Sequence, residues 1–179
     1  MREAIFSSLE SWDALEGARV LDLYAGSGAL GLEAASRGAA SVVLVERNAK
    51  AATLCRENAA LVRRATGERT TISVALQSVR SYLGGASGPI DLVLVDPPYD
   101  LGDADLALDL EAVRPALAAD AVIVVERSAR SPEPTWPDGL EPLRHRDYGE
   151  TRVWFATTAG DGSAQDDATE HLATDEAGR

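Results

Sequence analysis

The segment from Arg19 to Gly31, RVLDLYAGSGALG, constrains the fold of this chain more than any other. A mostly apolar run, Arg19 to Tyr24, leads into Gly26, Gly28 and Gly31, and an Ala/Leu-rich stretch from Ala29 to Arg37 follows until Gly38 stops it. Glycines spaced G-x-G-x-x-G between a strand and a helix allow a tight turn and a close helix–strand approach, the opening unit of a nucleotide-binding βαβ fold.

The rest of the chain keeps this rhythm. Strands are expected at Ser41 to Glu46, Thr71 to Ala75, Asp91 to Val95 and Ala121 to Glu126, with helices at Ala49 to Arg64 and near Leu106 to Leu117. The nearly all-apolar DLVLV and AVIVVE runs suit central strands covered on both faces. Near the end the rhythm breaks. Leu140 to Arg146 and Thr151 to Thr157 flank Asp147-Tyr148-Gly149-Glu150, so two strands follow one another through a hairpin. An α/β, Rossmann-like fold follows, with a seven-stranded, mostly parallel sheet, one antiparallel strand and helices on both faces. Arg2 to Leu9 reads as a short amphipathic helix ahead of the first strand.

At 179 residues and 45% hydrophobic content, the chain can bury one core without staples. One domain, 1–158, is expected, with an acidic disordered tail over 159–179, where no periodicity remains. A single cysteine and the lack of an apolar run of membrane-spanning length point to a soluble cytoplasmic protein, expected to be a monomer.

The net charge of −12 opposes a broad grip on nucleic acid. From Asp161 to Arg179 six acids face one arginine, so this stretch carries −5 and the remainder −7. Any nucleic-acid partner must therefore be held by a local basic patch or with outside help.

Glu46 closes the second strand 20 residues beyond Gly26, where a carboxylate can accept hydrogen bonds from both ribose hydroxyls of an adenosine-bearing ligand. Asp22, four residues before Gly26, separates the candidates. A pyrophosphate is bound by bare backbone amides with no anion beside them, whereas an anion suits the ammonium and sulfonium of S-adenosylmethionine. Asp22 can equally tie down the loop by accepting its amides, and the two roles are compatible.

Asp96-Pro97-Pro98-Tyr99 follows the fourth strand directly, at the carboxyl edge where open α/β sheets bind ligands. An exocyclic base amine is a poor nucleophile because its lone pair is delocalised into the ring. The Asp96 carboxylate and the Pro97 carbonyl can accept its two N–H bonds and aim that lone pair, the prolines holding both acceptors in place. Tyr99 offers an aromatic face to a base taken out of its stack. A rigid turn alone would also explain these four residues. Their order after Gly26, Gly28 and Glu46 favours amine methylation.

Other groups fit less well. Cys55 lies mid-helix and suits core filling rather than a nucleophile's task. His145 and His171 lack metal-ligand spacing, and no metal is expected. Arg144, His145 and Arg146 form a tight basic cluster that suits a solvated hairpin face as well as RNA contact. Trp12, Trp136 and Trp154 suit packing.

Taken together, Arg2-Glu3-Ala4-Ile5-Phe6, the loop Asp22-Leu23-Tyr24-Ala25-Gly26-Ser27-Gly28, Glu46-Arg47-Asn48, Asp96 to Tyr99 and Tyr148-Gly149-Glu150-Thr151 resemble the RsmD-type methyltransferases of the guanine N2 amine in 16S ribosomal RNA. The resemblance runs from Arg2 to about Ala156, and its first and last motifs are the most specific. It implies a class I methyltransferase fold using S-adenosylmethionine. It places Phe6 near that cofactor, Asp22 and the loop residues Tyr24, Ala25, Gly26, Ser27 and Gly28 at its aminoacyl part, and Glu46 with Arg47 at its ribose. Gln77 or Ser78 would meet its adenine. Asp96 and Pro97 would hold the target amine, and Tyr99 the guanine. The implied partner is 16S ribosomal RNA or the assembling small subunit. Members usually carry a basic β-hairpin before the Arg-Glu-Ala motif, at which this chain opens; a truncated start or a different grip on RNA is the expectation. Rival readings are an adenine or other base-amine methyltransferase of DNA or RNA, an NAD-binding oxidoreductase, and a ribosome-assembly module without catalysis.

Overall fold

A computed structural model describes residues 1–67 and 69–159; the expected tail, with His171, lies outside them apart from Ala159. Seven strands form one sheet: β1 (Arg19–Leu23), β2 (Ser41–Glu46), β3 (Thr71–Leu76), β4 (Ile90–Val95), β5 (Leu117–Ser128), β6 (Leu140–Tyr148) and β7 (Thr151–Thr158). Their spatial order is β3-β2-β1-β4-β5-β7-β6. All neighbours are parallel except β7, which runs antiparallel to β5 and β6.

The helices are α1 (Arg2–Ser11), α2 (Ala29–Ser36), α3 (Asn48-capped, Ala49–Thr66), α4 (Val79–Leu83) and α5 (Asp103–Val113). The Asn48 carboxamide oxygen accepts from the amides of Lys50 (3.0 Å) and Ala51 (3.1 Å), and Gly67 closes the helix in the left-handed region at φ 67°. Alternation along the central strands sorts the core into two layers. Val20, Leu92, Leu94, Val122 and Val124 face α1, α2 and α3, while Leu21, Leu23, Val93, Val95, Ile123 and Val125 face α4 and α5.

Several boundaries differ from expectation by a few residues, β5 running from Leu117 to Ser128 and β6 to Tyr148, and two departures have a clear physical cause. The helix expected to reach Leu117 ends at Val113, passes into a 3₁₀ turn, Arg114–Ala116, and Leu117 already belongs to β5. Pro115 lacks the N–H that would continue the α-helix. The short helix α4 has too few residues for a recognisable apolar period; what starts it is Ser78, whose hydroxyl oxygen accepts from the Ser81 amide at 3.2 Å.

The topology creates the site. From β1 the chain steps outward through β2 and β3, then crosses back to β4 on the other side of β1, so the crossovers diverge above β1 and β4 and leave a crevice. Leu23 pairs with Val95, and the loops that follow these two residues therefore rise side by side. Gly31 sets how closely α2 lies against the sheet. A Cβ there would fall 2.4 Å from Leu44 Cδ2, 3.0 Å from Val42 Cγ1 and 3.0 Å from Asp22 Oδ2. All three neighbours are buried. Gly31→Ala is therefore expected to destabilise the fold by about 1–3 kcal/mol through overpacking, visible as a fall of several degrees in Tm. An unchanged Tm would show that α2 can shift freely away from β1.

Candidate functional site

Asp22 is buried at the end of β1, and its Oδ2 accepts the Gly31 amide at 2.8 Å. The backbone role that the sequence allowed for Asp22 is therefore present. Burial, followed by the nearby charges of Asp96, Glu126 and Glu46, outweighs this hydrogen bond and pushes the Asp22 carboxyl up to about 7. The loop itself is braced from three sides. Glu46 Oε2 accepts the Gly26 amide at 2.9 Å while its Oε1 accepts the Asn48 amide at 2.6 Å. The Cys55 thiol donates to the Gly26 carbonyl at 3.0 Å, and the Asn58 carboxamide donates to the Ser27 carbonyl at 3.0 Å. Cys55 is thus core filling that also latches the loop.

Left-handed geometry at Gly26 (φ 58°) and Gly28 (φ 82°) explains why glycine stands at both positions. Tyr24 takes the same region at φ 64° without being glycine. Its hydroxyl donates to the buried carboxylate of Asp109 on α5, so its side chain leaves the loop and anchors it to the opposite layer. Ala25 is buried and Ser27 exposed. Arg47 is exposed beyond Glu46. Phe6 is fully buried in the layer beneath α1, so it bears on the crevice only through packing. Gln77 is exposed after β3, whereas Ser78 is engaged as the helix cap.

On the other loop, Pro97 is buried, Asp96 is exposed at the strand end and Tyr99 stands 90% exposed. Partial desolvation raises the Asp96 carboxyl above the usual range. A cavity of about 140 Å³ gathers Asp96, Pro97 and Tyr99 with Glu126, Ser128 and Thr151. Thr151 comes from the Tyr148 to Thr151 motif, whose Gly149 turns the β6–β7 hairpin at φ 64°.

Glu126 is the residue that the sequence did not single out. It follows Val125, which pairs with Val95, near the end of β5, so it lies beside Asp96 at the same sheet edge. It is 5% exposed, and burial with the Asp96 charge raises its carboxyl to about 7. The available signal was an acid closing an otherwise apolar central strand, AVIVVE, a position that burial makes costly unless used. Asp22, Asp96, Glu126 and Glu46 gather four carboxyl groups at the crevice, which as they ionise favour a cation and disfavour a pyrophosphate.

Against proteins of known sequence and structure, the chain has counterparts in sequence and in fold. The Ribosomal RNA small subunit methyltransferase D of Escherichia coli is 32% identical over 166 residues, covering 92% of this chain and 80% of that protein. A solved structure described as a conserved hypothetical protein of Streptococcus pyogenes superposes with a TM-score of 0.77 at 29% identity, covering 89% of this chain and 96% of that one. The magnesium protoporphyrin IX methyltransferase of Synechocystis, solved with bound SAM, shares the fold alone, with a TM-score of 0.68 at 13% identity over 88% of this chain and 78% of its own. The seven-stranded architecture is that of the class I methyltransferases. A family model described as Conserved hypothetical protein 95 matches residues 1–157, and the chain belongs to this family, that of the RsmD methyltransferases.

Proposed function

We propose that this protein transfers a methyl group from S-adenosylmethionine to the exocyclic N2 amine of a guanine in 16S ribosomal RNA of the small subunit. The observation that carries the choice of base is the pairing of Asp96 with Glu126 in one cavity. The Watson–Crick edge of guanine presents two neighbouring donors, N1–H and the N2 amine, and two adjacent carboxylates complement it. Adenine presents an acceptor at N1, which an ionised Glu126 would repel. The family relationship to the E. coli ribosomal RNA enzyme supports the RNA substrate.

The negative crevice fits the sulfonium and ammonium of S-adenosylmethionine, which supplies the electrophilic methyl. Asp22 and the loop of Gly26, Ser27 and Gly28 hold its aminoacyl part, and Glu46, which keeps lone pairs beyond its two backbone bonds, takes the ribose. Ser78 already spends an acceptor on its helix, so Gln77 offers the better carbonyl for the adenine amine. On the substrate side, Asp96 and the Pro97 carbonyl accept the N–H bonds of the target amine. This draws the lone pair out of the ring and orients it. Tyr99, free in solvent, closes over the base by stacking.

Labelled methyl transfer to undermethylated small subunits, with naked 16S RNA in parallel, is expected to yield N2-methylguanosine on nucleoside analysis; methyladenosine would overturn the assignment. In the same assay Asp96→Ala is expected to lose at least about 100-fold in kcat, the scale set by removing one preorganised polar group from a reacting centre, while still binding cofactor. Full activity in that variant would remove Asp96 from the chemistry. Glu126→Gln is expected to lower kcat/KM for guanine about 10-fold or more, on the 1.5–3 kcal/mol scale of a hydrogen bond to a charged group. Unaltered kcat/KM would mean that Glu126 does not read the base.

Cofactor affinity carries a pH signature. Asp22 holds its proton up to about 7 in the free protein, and a neighbouring cation favours the ionised form. Binding must therefore release that proton at lower pH. The S-adenosylmethionine affinity is expected to fall as pH drops below about 7 and to level off above it. Calorimetry in buffers of differing ionisation enthalpy would detect the released proton, and an affinity independent of pH from about 6 to 8 would remove Asp22 from the cation's partners.

A further inference from the structure

The basic cluster of the last hairpin divides in three dimensions. His145 packs on Trp154 at 4.6 Å between ring centroids, on the α4–α5 side of the sheet. Arg144 and Arg146 take the other face and line an open groove of about 560 Å³ against α1. Arg144 is stacked there, its guanidinium 4.3 Å from the Trp12 ring centre and 5.4 Å from that of Phe155. Its buried Nε has no hydrogen-bond partner.

Arg47, Arg56, Arg63, Arg64 and Arg69 share with Arg144 and Arg146 the lack of an ion pair among the described residues, but Arg144 and Arg146 stand together in one groove, Arg144 fixed by stacking on aromatic rings, while many other arginines are held by carboxylates. Arg19 pairs with Asp91, Arg80 with Asp105, Arg114 with Glu111, Arg127 with Asp103, and Arg152 with Asp147. Arg37 alone engages Glu3, Glu10 and Glu33. In a chain carrying −12, neither Arg144 nor Arg146 has a carboxylate within ion-pair distance among the described residues. The acid in the groove wall, Glu3, is held 2.6 Å from Arg37. The two guanidiniums instead face each other's charge, and the repulsion from Arg146 adds to desolvation in lowering the Arg144 pKa. Two adjacent cations thus line the groove beside Ser7 and Ser11, an arrangement whose chemistry suits an anion.

The groove is also aligned with the cavity. Arg146 pairs with Val153, and Val153 pairs with Glu126, so Arg146 sits two strands from Glu126, about 10 Å across the sheet. Met1 lies in the wall of both.

We propose that the groove between α1 and β6 is a phosphodiester-binding site, in which Arg144 and Arg146 hold the RNA backbone flanking the nucleotide whose base enters the Asp96–Glu126 cavity. Arg144, fixed by stacking on Trp12, presents its planar donors at no further ordering cost, and the exposed Arg146 closes on a neighbouring phosphate oxygen. The inference rests on the RNA substrate proposed above.

Fluorescence anisotropy with labelled 16S RNA across a series of salt concentrations tests it. Each phosphate contact contributes about 0.7 to the slope of log affinity against log salt for a single strand. Arg146→Ala is expected to bind more weakly and to flatten the slope by about that amount, with Arg146→Lys restoring most of it. S-adenosylmethionine affinity and Tm, measured on the same samples, should stay at wild-type values, because Arg146 is exposed and remote from the glycine loop. A wild-type protein that binds RNA with a slope unchanged in Arg146→Ala overturns the groove and leaves the RNA reading standing. A wild-type protein that shows no salt-dependent RNA binding overturns both.

Discussion

One hydrogen bond organises the molecule: the Gly31 amide donating to the buried carboxylate of Asp22 at 2.8 Å. It joins the end of β1 to the first turn of α2 and thereby fixes the path of the intervening glycine loop. Only a residue without Cβ permits the approach, because Leu44, Val42 and Asp22 itself occupy the space that a side chain would need. The further braces at Gly26 and Ser27, from Glu46, Cys55 and Asn58, act on a loop whose two ends this bond has already set. The loop is preorganised before any ligand arrives, so little ordering cost remains to be met on binding.

That rigidity is held against electrostatic cost. Asp22 and Glu126 are both raised to about 7 by burial and by neighbouring carboxylates. For a raised carboxyl the folded state binds protons more tightly than the unfolded chain. The ionised forms therefore cost stability progressively as pH rises from about 4, where the unfolded groups titrate, to about 7. A core that tolerates such groups supplies the surplus elsewhere, and here the surplus lies in two apolar layers on either side of a central sheet. A cation in the crevice and donors on the base edge reverse the sign of this cost, turning a destabilising cluster into binding and positioning energy.

Most of this architecture was legible in the residues, for a reason. Strands covered on both faces read as continuous apolar runs, and the glycine loop and Asp96 to Tyr99 are local signals, each complete within a few positions. What stayed hidden depends on distant contacts. Nothing local distinguishes Glu126 from any acid near a strand's end; it becomes a candidate site residue only because Val125 pairs with Val95 and sets it beside Asp96. Tyr24 reads as part of a binding loop, yet its ring serves the opposite layer through Asp109, 85 positions away. The Ala/Leu pattern of α5 continues past Pro115 to Leu117, beyond the point where the helical backbone can follow it.

The acidic composition, which seemed to argue against a nucleic-acid substrate, takes a different meaning once charges are located. Many arginine side chains are paired with carboxylates, Arg37 with three at once, so these contribute little field at a distance. Four carboxyl groups, those of Asp22, Glu46, Asp96 and Glu126, gather in the crevice, where under the proposed function they suit a cofactor cation and a donor-rich base edge, while Arg144 and Arg146 stand about two strands away on the face beside α1. Net charge averages over these regions and hides their separation. On the proposed reading, phosphate contacts at Arg144 and Arg146 favour register over affinity, because they position the strand where its base can also reach Asp96.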